Sequence, residues 1–136
     1  MNQKPPIQTP EQKVKFLQIL WMAMLASSVV YLLIGWMQAS SLPETGRSVL
    51  ANLVWLFGAF FVGLGYVLPK MLFKNSQTHM GEYTQALIIR YAMFESLAVL
   101  SLVNFISQGV SFLEMAAGIV VAFTLILINK PKLIRA

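Results

Sequence analysis

The chain has 136 residues, of which 57% are hydrophobic and only 11% charged, and its mean hydropathy is +0.69. An ordinary soluble domain is about a quarter charged, so a water-soluble globule of this size is excluded. Ten Lys and Arg stand against five acids, all of them Glu, beside one His and neither Cys nor Asp, which excludes disulfides, thiolate chemistry and Asp-based catalysis.

At this length the chain reads as one unit. Residues 1–15, with Pro5, Pro6, Pro10 and Lys4, Lys13 and Lys15, form a polar, proline-broken N-terminal tail. The first apolar run, 16–36, is longer than the core of a secretory signal, which is about 7–15 residues, and is therefore expected to stay as a helix. Trp21 and Trp36 lie near its two ends, where interfacial anchors sit. A connection at 37–48 carries Pro43 and Gly46. The second run is 49–68, with Trp55 deep enough to pack.

The next connection, 69–85, sets Met71, Leu72 and Phe73 between Lys70 and Lys74, a pattern suited to a short interfacial segment. The third run is 86–106. The short link Ser107, Gln108, Gly109 then forces a tight antiparallel hairpin with the fourth run, 110–128, and residues 129–136 form a basic C-terminal tail. Each run is near the roughly 20 helical residues that cross the hydrocarbon of a bilayer. The runs are continuous rather than alternating, which favours helices over barrel strands. The expected fold is all-α: a polytopic membrane protein of four antiparallel transmembrane helices.

Eight of the ten cationic residues fall on one side of this arrangement: three in the N-terminal tail, Lys70 and Lys74 in the second connection, and Lys130, Lys132 and Arg135 at the C-terminus. Arg47 alone falls on the other. Lys and Arg are retained on the cytoplasmic side, so both termini are expected there, in a multi-pass protein of a bacterial-type inner membrane. The net charge of +5 then belongs to topology and to anionic membrane lipid. No aromatic-interleaved basic patch points to nucleic acid.

The third run contains Arg90 and Glu95. Glu95 lies near the bilayer midplane, where ionisable groups face protein, water or a partner rather than lipid. It either carries a proton or cation or fixes helix packing through a hydrogen bond. Arg90 lies about 7 Å nearer the cytoplasmic face and about 140° around the helix, so the two are poor intrahelical partners. Ser101, Asn104 and Gln108 fall within about 40° of Arg90 and make one polar stripe. That stripe is either a hydrated path or hydrogen-bonded seam, or a snorkelling arginine with ordinary polar residues behind it. Glu114 stands near the start of the fourth run, where a helix N-terminus favours a carboxylate; pairing with another subunit is the alternative.

Small residues recur at four-residue spacing as Ala23/Ser27, Ala59/Gly63 and Gly118/Ala122, and are expected to be helix-packing faces. The methionines read as gap-filling core. His79 is the only histidine, too little for a zinc site or a catalytic triad within one chain. Neither enzymatic activity nor a cofactor is expected.

The stretch FGAFFVGLG at 57–65, a polar connection, and AMFESLAVLSLV at 92–103 together resemble the helical hairpin of rotary ATPase proteolipids, the c or K subunits. The resemblance implies that Glu95 matches the ion-carrying carboxylate and that Gly58, Gly63 and Gly65 match the small-residue face. It also implies a thin antiparallel helical sheet that assembles edge to edge. Four helices have little interior, so Arg90, Glu95, Asn104 and Glu114 are expected at subunit contacts. The expected function is a structural or scaffolding subunit of a homo-oligomer, a ring being the closed form that satisfies every contact. The alternatives are a proton- or sodium-translocating subunit with Glu95 as carrier, and an accessory subunit of a larger membrane complex.

Overall fold

The computed structural model describes residues 9–40, 49–75 and 78–133. Lys4, Pro5, Pro6, Pro43, Gly46, Arg47 and Arg135 lie outside the described residues. Four helices account for nearly all the rest: α1 (Pro10–Gln38), α2 (Val49–Leu72), α3 (Met80–Gln108) and α4 (Phe112–Ile128), and no strand occurs among the described residues.

α1 begins well ahead of its apolar run because Thr9 and Gln12 form a reciprocal cap. The Gln12 amide donates to Thr9 Oγ1 at 3.3 Å, and the Thr9 amide donates to Gln12 Oε1 at 3.0 Å. Pro10 stands at the first helical position, where its missing N–H costs nothing. The polar residues from Pro10 to Lys15 are thus the first turns of a 29-residue helix. α2 likewise continues through Pro69 to Leu72, so residues 69–72 are helical rather than a separate interfacial segment. α3 stops at Gly109, whose φ of 67° is the left-handed conformation that glycine adopts without strain. Ser111 then caps α4, accepting from the Glu114 amide at 3.2 Å.

α1, α2 and α3 are each long and apolar enough to cross a membrane. α4 is shorter, 17 residues, or about 26 Å at 1.5 Å per residue. α3 is the central helix and packs on each of the others, and α1 also packs on α4; the backbones of α1 and α2 do not approach each other, nor do those of α2 and α4. Two apolar clusters divide the interior. One holds Leu97, Phe105, Met115 and Ile119; the other, towards the start of α1 and α3, holds Leu17, Leu87, Tyr91, Phe94 and Ile126. Ile19, Met22, Leu56 and Phe60 are among many large apolar side chains turned outward.

Only some of the expected small-residue faces pack inside the chain. Gly118 and Ala122 are buried, and a side chain at 118 would collide with Ser101 and Trp55. Gly58 is buried against Leu97. Ala23, Ala59 and Gly63 are exposed, and a Cβ at Gly63 would meet nothing within 4 Å.

Candidate functional site

Pro69 has no amide hydrogen, so inside α2 it leaves the carbonyl four residues earlier, that of Gly65, without its helical donor. An unmatched carbonyl at that depth costs about 1–3 kcal/mol. Arg90 fills the vacancy: its Nε donates to Gly65 O at 3.0 Å. Gly65 also permits the approach, because a Cβ there would stand 2.9 Å from Phe94 Cε1 and 3.3 Å from Met93 Cβ. The same guanidinium donates from Nη1 to Asn129 Oδ1 at 3.2 Å and lies 5.2 Å from the Tyr66 ring centroid.

Asn129 follows the last residue of α4 and ties three helices together. Its Nδ2 donates to Leu125 O at 2.7 Å and to the Tyr66 hydroxyl at 3.4 Å, and its carbonyl accepts from the Tyr91 hydroxyl at 2.6 Å. Trp21 Nε1 donates to Ile126 O at 2.7 Å. Two carbonyls at the C-terminal end of α4 therefore accept from α1 and α3, Ile126 O in addition to the Asn129 amide at 3.2 Å. Lys130 stands 5.8 Å from the Trp21 ring centroid, and the Lys132 amide donates to the Tyr83 hydroxyl at 3.0 Å. These contacts bring the start of α1, the end of α2, the start of α3 and the end of α4 to one end of the bundle.

The polar stripe of α3 continues inward from Arg90. Ser101 and Asn104 are fully buried, Ser101 donating to Leu97 O at 2.8 Å and Asn104 Nδ2 to Ala51 O at 3.2 Å. Asn104 Oδ1 is buried without a partner. Gln108, at the end of α3, is half-buried. The N–H groups of Arg90 and Asn104 thus find acceptors within one chain, because the central position of α3 turns this stripe towards α2 and α4. They need no second subunit to leave lipid.

Glu95 is placed differently. Ser27 Oγ lies 2.7 Å from Glu95 Oε1 and 2.9 Å from Met24 O, one hydroxyl proton serving both. Tyr31 stands beside the same carboxyl. Oε2 is buried and has no hydrogen-bond partner. The carboxyl borders a groove of about 430 Å³ between α1 and α2, walled by Met24 and Phe61, with Ala92, Ser96 and Val99 along its floor. Ala92 and Ser96 are one helical turn apart, so this floor is low. Ser27 is therefore a partner of Glu95, while its sequence companion Ala23 faces outward.

Glu114, in the first turn of α4, lines a second groove of about 530 Å³ with Trp55, Ala59, Val62, Leu97 and Gly118. Trp55 Nε1 is buried there without a partner. His79 precedes α3 as its N-cap residue and makes no side-chain cap bond. Among the described residues no group of three or more His, Cys, Asp or Glu is placed to hold a metal ion.

Sequence reading passed over Tyr66, Tyr91 and Asn129. One signal was available: Gly65 and Pro69 stand four apart, the spacing at which proline orphans a carbonyl. Comparison of the chain with protein-family models, with curated proteins and with solved structures finds no match.

Proposed function

We propose that this chain is a multi-pass protein of a bacterial-type inner membrane, crossing four times with both termini cytoplasmic, and that it works without catalysis as a structural subunit associating laterally with further copies of itself. α4, at about 26 Å, falls within the range of spanning helices. The observation that carries the reading is the groove over Glu95, a lateral opening between α1 and α2 with a low floor and one carboxyl oxygen without a partner.

A second copy suits this groove because the chain carries a matching surface. Ala59 and Gly63 are exposed on α2, and their neighbours Gly58 and Gly65 pack on Leu97 and Phe94. The exposed pair therefore lies at the depth of Glu95 and Ser96, and a copy with the same orientation in the membrane presents small residues at the level of the groove floor. Close approach of small residues drives helix association in lipid. Groove and shoulder are different surfaces, so the contact is head to tail, and a ring is the form that closes it.

The test is the mass of the purified protein in detergent or nanodiscs. A single species larger than one chain, reduced to the monomer by Ala92→Leu with Ser96→Leu, supports the reading; a monomer over a wide concentration range contradicts it. Stoichiometric foreign subunits would instead identify an accessory role in a larger membrane complex.

A second reading is a proteolipid-like subunit that translocates protons or sodium ions with Glu95 as carrier. The Ser27 hydroxyl and the unpartnered Oε2 favour it, since together they offer oxygen ligands at mid-span. It requires that a hydrophobic carbodiimide label Glu95 and that sodium ions or raised pH slow the labelling. An unreactive Glu95 contradicts it.

A further inference from the structure

The basic end of the bundle contains a pocket that the packing of the helices does not use up. It has a volume of about 260 Å³ and is lined by Lys70, Tyr83, Arg90, Asn129, Lys130 and Lys132, with no carboxylate in its lining. Glu82, the acid nearest in sequence, is not part of it. Four cations thus converge from α2, α3 and the segment after α4, and no ion pair joins any of them to an acid among the described residues.

Arg90 is the fixed member of this group. A guanidinium has five N–H groups, of which one on Nε and one on Nη1 are spent on Gly65 O and Asn129 Oδ1. The remaining three are held in orientation by those two bonds. Such a planar, pre-positioned donor set matches the oxygens of a phosphate. Lys70, Lys130 and Lys132 are exposed around it and add compact positive charge on flexible stems. All three line the same pocket as Arg90.

The position of the pocket indicates where the anion comes from. Ile128 lines it and is 66% exposed, and Val67, Met71 and Leu127 are also exposed apolar residues at that end of α2 and α4. The pocket opens where apolar spans meet charged tails, at the depth of headgroups, with apolar surface running from it along the helices. A soluble anion would make no use of that surface, whereas acyl chains would lie along it.

We propose that this pocket binds the phosphate of an anionic phospholipid headgroup, with Arg90 as the oriented donor and Lys70, Lys130 and Lys132 closing around it. Basic pockets between transmembrane helices serve this purpose in membrane proteins generally. The site is independent of the Glu95 groove and does not require self-association.

The experiment is native mass spectrometry of the full chain in detergent, titrated with phosphatidylglycerol, phosphatidylcholine or inorganic phosphate. Phosphatidylglycerol is expected to bind in preference to phosphatidylcholine. The variant K70Q/K130Q/K132Q is expected to lose roughly a hundredfold in that binding, from about fivefold per lysine at a membrane surface. K70R/K130R/K132R is expected to retain it, which separates loss of charge from loss of fold. K13Q/K15Q/K74Q removes as many charges from the same end, and is expected to change binding by about threefold or less because these lysines do not line the pocket and only screened, longer-range attraction is lost. Equal losses in the two glutamine variants, or equal binding of the two lipids, would overturn the proposal. Displacement of phosphatidylglycerol by inorganic phosphate alone would assign the pocket to a soluble anion and would overturn it too.

Discussion

Arg90 and Glu95 stand on the same helix, one and a half turns apart, and the protein treats them in opposite ways. Arg90 is held by a carbonyl of α2, the amide oxygen of Asn129 and the face of Tyr66. Glu95 has one oxygen beside Ser27 and the other with no partner, next to an open groove. The rotation of α3 accounts for the difference. Its polar stripe turns to α2 and α4, which close around it, whereas Glu95 turns to the gap between α1 and α2. A charge at membrane depth thus acts as a fastener where neighbouring helices supply complementary groups. Where they satisfy it only in part, as Ser27 and Tyr31 do for Glu95, it leaves bonding capacity for something outside the fold.

Breaking the fastener is expected to give the largest effect. Arg90→Leu removes two charge-assisted hydrogen bonds and leaves Gly65 O unmatched, costing about 3 kcal/mol of stability in detergent at about 1.5–3 kcal/mol for each such bond. Pro69→Ala restores an amide donor to Gly65 O, so the same arginine substitution in that background is expected to cost about 1 kcal/mol less. Thermal unfolding of the four proteins of this cycle checks it; strict additivity would show that proline and arginine are not linked through that carbonyl.

The next effect separates two glycines of α2. Gly65→Ala drives a methyl group into Phe94 and Met93 and is expected to destabilise by about 1–3 kcal/mol. Gly63→Ala meets open space and gains helix propensity, so it is expected to be neutral or to stabilise by up to about 1 kcal/mol. Equal melting shifts would contradict this assignment of inner and outer faces.

The smallest effect on the fold is expected at the other charge. Glu95→Gln keeps an oxygen and adds an amide donor beside Ser27, so the stability of a single chain is expected to change by less than about 1 kcal/mol. The same substitution is expected to alter association, because the unpartnered oxygen belongs to the groove. A large loss of monomer stability would mean that Glu95 is as structural as Arg90.

How far this was readable in advance follows from what each signal measures. Run length and hydropathy located the four helices, and angular spacing placed Arg90 and Asn104 on one stripe with Glu95 on another, as the structure has them. Hydropathy assigns the polar first turns of α1 to the tail, although Thr9, Pro10 and Gln12 spell a cap. The arginine's chief partner could not come from hydropathy, which scores side chains, because it is a backbone carbonyl freed by a proline. The order of packing also lay beyond reach. That α3 is central and α1 and α2 stay apart depends on contacts between distant segments, and it decides which charge is closed in and which is left open.

The central claim is that the groove over Glu95 receives the small-residue shoulder of α2 from another copy. The chain contains no cysteine, so Gly63→Cys and Ser96→Cys can be placed on separately tagged copies, expressed together in membranes and oxidised. A disulfide joining the two tags, formed more readily than either homodimer and lost when Ala92→Leu blocks the groove, is the predicted result. Folded protein in which the two tags never become linked would contradict the account.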